Sequence, residues 1–396
     1  MNIIIAGKNN IAVDVAAYII KKFPLHCVFS VINRTDKGID GFQRSFAKFS
    51  EQNSIPVITL EEAYSLENSV FLSLEFDRIV KPELFKHDNL YNIHFSLLPK
   101  YKGMYTSVWP ILNGEDKSGV TLHKIDSGID TGDIISQLDF NLDENETAKS
   151  LYLKYITHGT RLVIKNIESL ISGEVNSTPQ RFRNSSYYSQ KSIDYSNLMF
   201  DFNKSAFEIA NQIKAFTFRD YQLPNIGGHS IFGVKILEHR STEKSGKLIN
   251  EDDDKLIFST IDYNLCLYKD SLEKMLKACK AGDKELINKL SENSFLINEK
   301  NSKGWSPIIV AAYYGFIDIV SILVSKGAAI NDQNNKGTTV LMFAKDYLEK
   351  SGDTKLIEEI IDMGGKIDIR DYCGLTVKDY VVQNGNHISK SFFESI

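Results

Sequence analysis

The sequence predicts an α/β protein with a mostly parallel sheet, followed by a small β-rich module and an all-α repeat array. Three observations predict it. Strand-like apolar runs alternate with helical stretches through the first half of the chain, the pattern of βαβ units. The texture turns polar and aromatic near Asn184. The last third carries a 33-residue period. The implied domains are 1–183, 184–268 and 269–396.

Met1 to Ala6 reads as a buried strand, Gly7-Lys8-Asn9-Asn10 as a turn, and Ile11 to Lys22 as an amphipathic helix. Further strand-like runs are His26 to Ile32, Pro56 to Leu60, Ser69 to Leu74 and Tyr91 to Phe95. The opening is Rossmann-like, yet Gly7 stands alone where a dinucleotide site needs Gly-x-Gly-x-x-Gly, so Gly7 reads as a turn glycine. Gly119 to His123 and Asp133 to Gln137 read as strands, and Glu146 to Ser172 as a helix. Beyond Asn184, a helix is expected over Lys204 to Phe216 and strands near Ser230 to Leu237 and Lys255 to Leu267. Glu251-Asp252-Asp253-Asp254 reads as a solvated hairpin tip and not a metal site.

In the last third, Gly304-Trp305-Ser306-Pro307 aligns with Gly337-Thr338-Thr339-Val340, and Gly282 with Gly315, each 33 residues apart. These units resemble ankyrin repeats, with degenerate caps at both ends. One repeat cannot bury its apolar face alone, so the units must stack. Trp305 falls at a variable repeat position near Tyr313 and Tyr314. It either covers a neighbouring helix or stacks on a ligand at a second site, such as a second nucleotide-sugar. Protein binding is the other role that such repeats imply.

The 396 residues carry a formal charge of −5, which gives no general affinity for polyanions and argues against a nucleic-acid partner. Cys27, Cys266, Cys279 and Cys373 are scattered, as in a reduced cytoplasmic protein without a disulfide framework or zinc site. Ile3-Ile4-Ile5-Ala6 is cut short by Gly7 and lacks a basic flank, so it does not read as a signal peptide. No apolar run is long enough to span a membrane, and no constellation suggests a metal.

The chemistry concentrates in two stretches. Asn92-Ile93-His94-Phe95-Ser96-Leu97-Leu98-Pro99 places an amide and an imidazole two residues apart, on one side of a strand. Asp126-Ser127-Gly128-Ile129-Asp130-Thr131-Gly132-Asp133 is a glycine-bearing loop that can bring a carboxylate beside that imidazole. A base, an oxyanion donor and an orienting acid can together run acyl transfer.

The paired motifs Asn-x-His-x-Ser-Leu-Leu-Pro and Asp-x-Gly-x-Asp-Thr-Gly resemble the signature of the folate-dependent formyltransferases over roughly the first half of the chain. The resemblance implies 10-formyltetrahydrofolate as formyl donor. It also implies Asn92 as oxyanion donor, His94 as base, and Asp130 as the group that orients the imidazole, favours its protonated form and passes a proton through water to the folate nitrogen. Asp126 reads as a loop-shaping residue. The run Leu72 to Val80 is similar to the folate-contacting segment of sugar formyltransferases, which implies cofactor contacts from Phe76, Asp77, Arg78 and Ile79.

On the substrate side, Lys100 and Lys102 suit a diphosphate, with Phe95, Ser96 and Tyr105 as further contacts. Tyr187, Arg219, Tyr221 and Asn225 lie in segments similar to those of enzymes acting on dTDP-linked amino-dideoxy sugars. Met104 stands where members acting on UDP-linked aminoarabinose carry arginine, which speaks against that substrate. The resemblance is strongest to sugar N-formyltransferases that modify dTDP-3-amino-3,6-dideoxyglucose for lipopolysaccharide O-antigen and carry an ankyrin appendage. The expected activity is therefore formylation of a dTDP-amino-dideoxyhexose, at the 3-amine in preference to the 4-amine, by a homodimer. Rival readings are a methionyl-tRNA or purine-precursor formyltransferase, and a scaffold built on a decayed enzyme.

Overall fold

The computed structural model describes residues 1–181 and 183–395. The chain forms two compact units, one of residues 1–201 with 207–222, the other of 202–206 with everything from 223 onward. The polar-aromatic segment from 184 thus packs largely with the first unit, and the strand-rich module shares a unit with the repeats.

In the first unit the elements run β1 (Asn2–Gly7), α1 (Asn9–Lys22), β2 (Cys27–Ile32), α2 (Phe46–Gln52), α3 (Leu60–Ser65), β3 (Ser69–Leu74) and β4 (Leu90–His94). Then come β5 (Lys102–Gly103), α4 (Trp109–Leu112), β6 (Lys117–Lys124), β7 (Ile134–Asn141), α5 (Ala148–Ser172), β8 (Tyr187–Tyr188) and most of α6 (Ala206–Ala215). The main sheet has the order β2-β1-β3-β4-β6-β7. Strands β2, β1, β3 and β4 are parallel, and β6 and β7 add an antiparallel edge. Ile3, Ile4 and Ile5 are all fully buried because β1 is covered on both faces. Ile3 and Ile5 pack with Ile11 of α1 and Tyr155 of α5, while Ile4 packs with Phe71 and Leu60 on the opposite face.

Two expectations are corrected here. Pro56 to Leu60 is not a strand: only Val57 bridges to Ser30, and Leu60 already begins α3. Thr59 caps that helix in a reciprocal capping box with Glu62, which overrides the β-branched character of the run. Gly7 is not a turn glycine: it ends β1, and a Cβ there would lie 2.0 Å from the carbonyl oxygen of Leu74. Close strand approach is what demands glycine at that position.

The second unit opens with a sheet of order β11-β12-β13-β10-β9, formed by β9 (Asn225–Ile226), β10 (His229–Arg240), β11 (Leu248–Glu251), β12 (Lys255–Ser259) and β13 (Tyr263–Lys269). The strand pattern expected near Lys255 to Leu267 is met by two strands, β12 and β13, joined by a short turn. In that turn Asp262 accepts from the Thr260 hydroxyl and from the Tyr263 backbone N–H, each at 2.8 Å. The acidic run does form a hairpin tip, but it is ion-paired: Asp254 meets Lys274 and Lys289, each at 2.6 Å, and Glu251 meets Lys269 at 2.8 Å.

The repeats follow as helix pairs: α7 (Leu272–Ala281) with α8 (Lys284–Leu290), α9 (Pro307–Tyr314) with α10 (Ile317–Ser325), α11 (Val340–Ser351) with α12 (Lys355–Asp362), and α13 (Val377–Asn384) with α14 (His387–Glu394). Gly282 and Gly315 end the first helices of successive pairs in the left-handed region, at φ 73° and 83°. Ile287, Ile308, Leu323, Leu341 and Ile357 belong to one continuous core through the stack. No described helix is long and apolar enough to cross a membrane.

Candidate active site

The C-terminal ends of β1 to β4 border a cleft of about 640 Å³. That is where an open α/β sheet presents its backbone ends and receives ligands. Asn92 and His94 project into it from β4, and Asp130 comes from the loop between β6 and β7. The loop's carboxylate reaches both strand residues. Asp130 Oδ2 lies 3.4 Å from His94 Nδ1, and Asp130 Oδ1 accepts from Asn92 Nδ2 at 3.4 Å. A third donor, the Gly103 backbone N–H, reaches Asp130 Oδ2 at 2.9 Å.

The loop that delivers Asp130 is tightly built. Asp130 itself sits at φ 54°, in the left-handed region that Asp adopts more readily than most non-glycine residues. A Cβ on Gly132 would lie 1.9 Å from the Lys124 carbonyl oxygen, so the loop can close only with glycine there. Asp126 accepts from Gly128 N–H at 3.1 Å and from the Thr131 hydroxyl at 2.7 Å, the loop-shaping geometry expected of it. Gln180 locks the loop from outside, donating to the carbonyls of Asp130 and Gly132 at 2.9 and 2.7 Å.

His94 is only 7% exposed. Its Nε2–H donates to the Tyr101 carbonyl at 2.8 Å, which leaves Nδ1 as the basic nitrogen beside Asp130. Burial pulls the His94 pKa below the usual imidazole value, although Asp130 and the Tyr101 carbonyl push it up. Asp130 thus favours the protonated form, but desolvation prevails and leaves the imidazole neutral at neutral pH. Burial also works to raise the Asp130 carboxyl, but His94, His123 and the Gly103 N–H outweigh it and hold Asp130 far below the ordinary carboxylate range. A carboxyl so acidic acts as an orienting charge beside His94.

Of the residues expected at the cofactor, Phe76, Asp77, Arg78 and Ile79 all line the cleft. Arg78 lies over the Phe76 ring, 4.7 Å from its centroid. Arg78 Nε and Asp77 Oδ1 face each other as a long ion pair at 3.9 Å, both buried without a hydrogen bond among the described residues, a polar edge that fits a heteroaromatic ring such as a pterin. Asp77 Oδ2 also accepts from the backbone N–H of Arg34 at 3.0 Å.

The expected substrate contacts divide. Phe95 and Tyr187 line the cleft; the short β5–β8 ladder, with Lys102 opposite Tyr187, brings the tyrosine there. Ser96 is fully buried, its hydroxyl donating to the Lys100 carbonyl at 2.6 Å, so it shapes the turn and is not a ligand contact. Lys100, Lys102 and Tyr105 are not on the cleft wall. Lys100 pairs with Glu115 at 2.9 Å, Lys102 is buried, and Tyr105 packs edge-on against Tyr195. Tyr221 is 61% exposed and packs on Phe218 and Phe42, and Arg219 lies beside it in sequence outside the cleft lining. Asn225 belongs to the second unit, where β9 pairs it with Ser230. Trp305, also in the second unit, is half-buried and packs against Tyr313 and Phe343, each with ring centroids 5.2 Å apart. No cluster of metal-ligating side chains occurs among the described residues.

Sequence reasoning missed His123 and Glu75. His123 lies opposite Asn92 in the antiparallel β4–β6 register, donates from Nδ1 to the Lys124 carbonyl at 2.7 Å, and accepts from Asn92 Nδ2 at 3.0 Å. It therefore fixes which way the Asn92 amide points. Its place in an expected strand, next to the loop that carries Asp130, was the available signal.

The fold and cleft define an α/β enzyme with a buried imidazole–carboxylate pair at the mouth of its sheet. Residues 28–167 match the family model of formyl transferases, and residues 275–373 match ankyrin repeats in three copies. An N-formyltransferase from Helicobacter canadensis, solved with folinic acid and dTDP-3-aminofucose, is 45% identical with a TM-score of 0.63, over 68% of this chain and 99% of that one. WlaRD, a sugar 3N-formyl transferase solved with dTDP and 5-N-formyl-THF, is 44% identical with a TM-score of 0.64, over 68% and 97%. The methionyl-tRNA formyltransferase of Clostridioides difficile is 30% identical over 66% of this chain and 89% of its own length. The chain belongs to the formyl transferase family, as a folate-dependent N-formyltransferase with ankyrin repeats at its C-terminal end.

Proposed function

We propose that the protein transfers the formyl group of 10-formyltetrahydrofolate to the amine of a dTDP-linked amino-dideoxyhexose, with the 3-amine as the favoured position. The observation that carries the chemistry is Asp130 bridging Asn92 and His94 on the cleft wall. Support for the sugar comes from the two solved relatives at 44% and 45% identity, whose substrate class is a dTDP-linked or 3-amino sugar. The methionyl-tRNA relative is more distant, at 30%.

Bound 10-formyltetrahydrofolate supplies the formyl carbon, and its N10 departs with a proton. Neutral His94 takes the amine proton on Nδ1 as the new C–N bond forms. Protonated, the imidazole has an acceptor at each end, the Tyr101 carbonyl at Nε2 and Asp130 at Nδ1. The proton held there then passes to the leaving nitrogen, so the enzyme returns to its starting state. Asn92, held by His123 at 3.0 Å, would release its longer, 3.4 Å bond to Asp130 and offer that amide N–H to the negative charge developing on the formyl oxygen, a contribution of about 3 kcal/mol to the barrier. The polar edge of Asp77 and Arg78 would hold the pterin, with Phe76 as its apolar wall.

The test is an assay with 10-formyltetrahydrofolate and either the 3-amino or the 4-amino dTDP-dideoxyglucose, read by mass spectrometry. Formylation of the 3-amino sugar alone is expected. Formylation of the 4-amino sugar alone would overturn the position, and formylation of neither would overturn the substrate class.

A further inference from the structure

At the C-terminal edges of β1, β2 and β3 the cleft wall carries polar groups that the chemistry above leaves unused. Glu75 follows β3 directly and Asn9 opens α1, both at positive φ, 60° and 63°. Two such residues side by side mark a backbone held against its preference. Their strain serves a clamp: Glu75 Oε2 accepts from Asn9 Nδ2 at 3.1 Å and from the Tyr152 hydroxyl at 2.8 Å. Glu75 Oε1 has no hydrogen bond among the described residues, and the side chain lines the cleft. Asn33 ties down the Glu75 carbonyl at 2.8 Å, and its own buried Oδ1 lacks a donor at the same place. Lys8 completes this stretch of wall.

The register places this acceptor beside the reacting centre. Leu74 pairs with Ile93, so Glu75 and His94 leave the neighbouring ends of β3 and β4 together. We propose that Glu75 is a specificity-determining residue, its free carboxylate oxygen accepting a hydrogen bond from the sugar hydroxyl vicinal to the amine that is formylated. The assignment rests on the dTDP-amino-sugar reading. A hydroxyl on the adjacent ring carbon is the donor nearest an amine seated at His94. Burial raises the Glu75 pKa, while Lys8, Tyr152 and Asn9 work to keep the carboxyl ionised; as a carboxylate it accepts from a neutral donor in a charge-assisted bond, and losing that bond reduces affinity about 10- to 100-fold.

Kinetics on the full-length enzyme test this with dTDP-3-amino-3,6-dideoxyglucose and its 2-deoxy and 4-deoxy analogues. Glu75→Gln puts the amide oxygen under the Asn9 and Tyr152 donors and turns an N–H toward the cleft. One of the two analogues should lose about 10- to 100-fold in kcat/KM with the wild-type enzyme and nothing further with Glu75→Gln. The affinity for dTDP alone should stay within about twofold in both. Tyr152→Phe, which keeps the carboxylate and loosens its clamp, should show a smaller loss on the same hydroxyl. Equal losses on both analogues with and without Glu75, or a matching loss of dTDP affinity, would overturn the assignment. If the wild-type enzyme formylates none of these sugars, the substrate reading falls, and the Glu75 role falls with it.

Discussion

At the scale of single residues, the site works by opposing burial with well-placed partners. His94 is pushed toward neutrality by desolvation and pulled back by Asp130 and the Tyr101 carbonyl. A base in that balance is ready at neutral pH and loses activity only on acidification. kcat/KM should therefore be level near neutrality and fall as His94 gains its proton, below the ordinary imidazole range. Asp130→Asn removes the charge that raises the His94 pKa, so the acid limb should move to still lower pH. The rate should meanwhile drop about 100-fold or more, because the imidazolium loses its counter-charge. A pH–rate profile of both enzymes checks this, and an acid limb that stays put or moves up would refute it. Asn92, His94 and Asp130 were readable in the sequence because a strand's two-residue period and a glycine-bearing loop announce themselves locally. Glu75 and His123 were not. Each acts through partners far along the chain, Tyr152 for Glu75 and Asn92 for His123, and the one local signal, the place of His123 in a strand beside the Asp130 loop, does not name its partner.

Elements of structure carry the next level of constraint. The β6–β7 loop delivers Asp130, in a left-handed conformation, because Gly132 lets the backbone pass close to Lys124. Gly132→Ala should force the loop outward, since a Cβ at 1.9 Å from a backbone oxygen has no flexible neighbour to displace. The expected result is a loss of kcat of about 100-fold or more with a melting temperature lowered by only a few degrees, because the loop lies outside the core. Activity close to wild type would mean that the loop does not set the Asp130 geometry. The same scale shows where sequence patterns mislead. Pro56 to Leu60 has strand composition, but Thr59 and Glu62 offer a helix start that local propensity did not outweigh. Within Lys255 to Leu267 the strand pattern did not by itself place the turn, which is short, with apolar alternation resuming at once beyond Asp262.

For the chain as a whole, the period of the repeats made the stacked helices readable, since the first three pairs repeat the same left-handed glycine stop and the apolar face recurs with them. The partnership between the repeats and the strand-rich module was not readable, because its contacts join residues far apart in sequence. Asn293 donates to the Phe232 carbonyl at 2.6 Å across 61 residues, and Phe232 shares the apolar core of the repeat helices. Gly233 is required there too: a Cβ would lie 2.4 Å from Asn293 Oδ1. Asp254 at the hairpin tip, largely buried, pairs with Lys274 of α7 and Lys289 of α8. The repeats are thus part of the unit that holds the sheet, and not a tail that can be removed cleanly. A chain ending at Lys269 would uncover Phe232, worth about 2–3 kcal/mol of lost burial, and would strip Asp254 of both lysines. It should melt well below the full chain or aggregate when purified, measured by thermal unfolding and size-exclusion chromatography. A monodisperse truncated protein with an unchanged melting temperature would show that the sheet is complete without the repeats. The shared core predicts the opposite, because a five-stranded sheet with one face bare lacks the second layer that a stable domain needs.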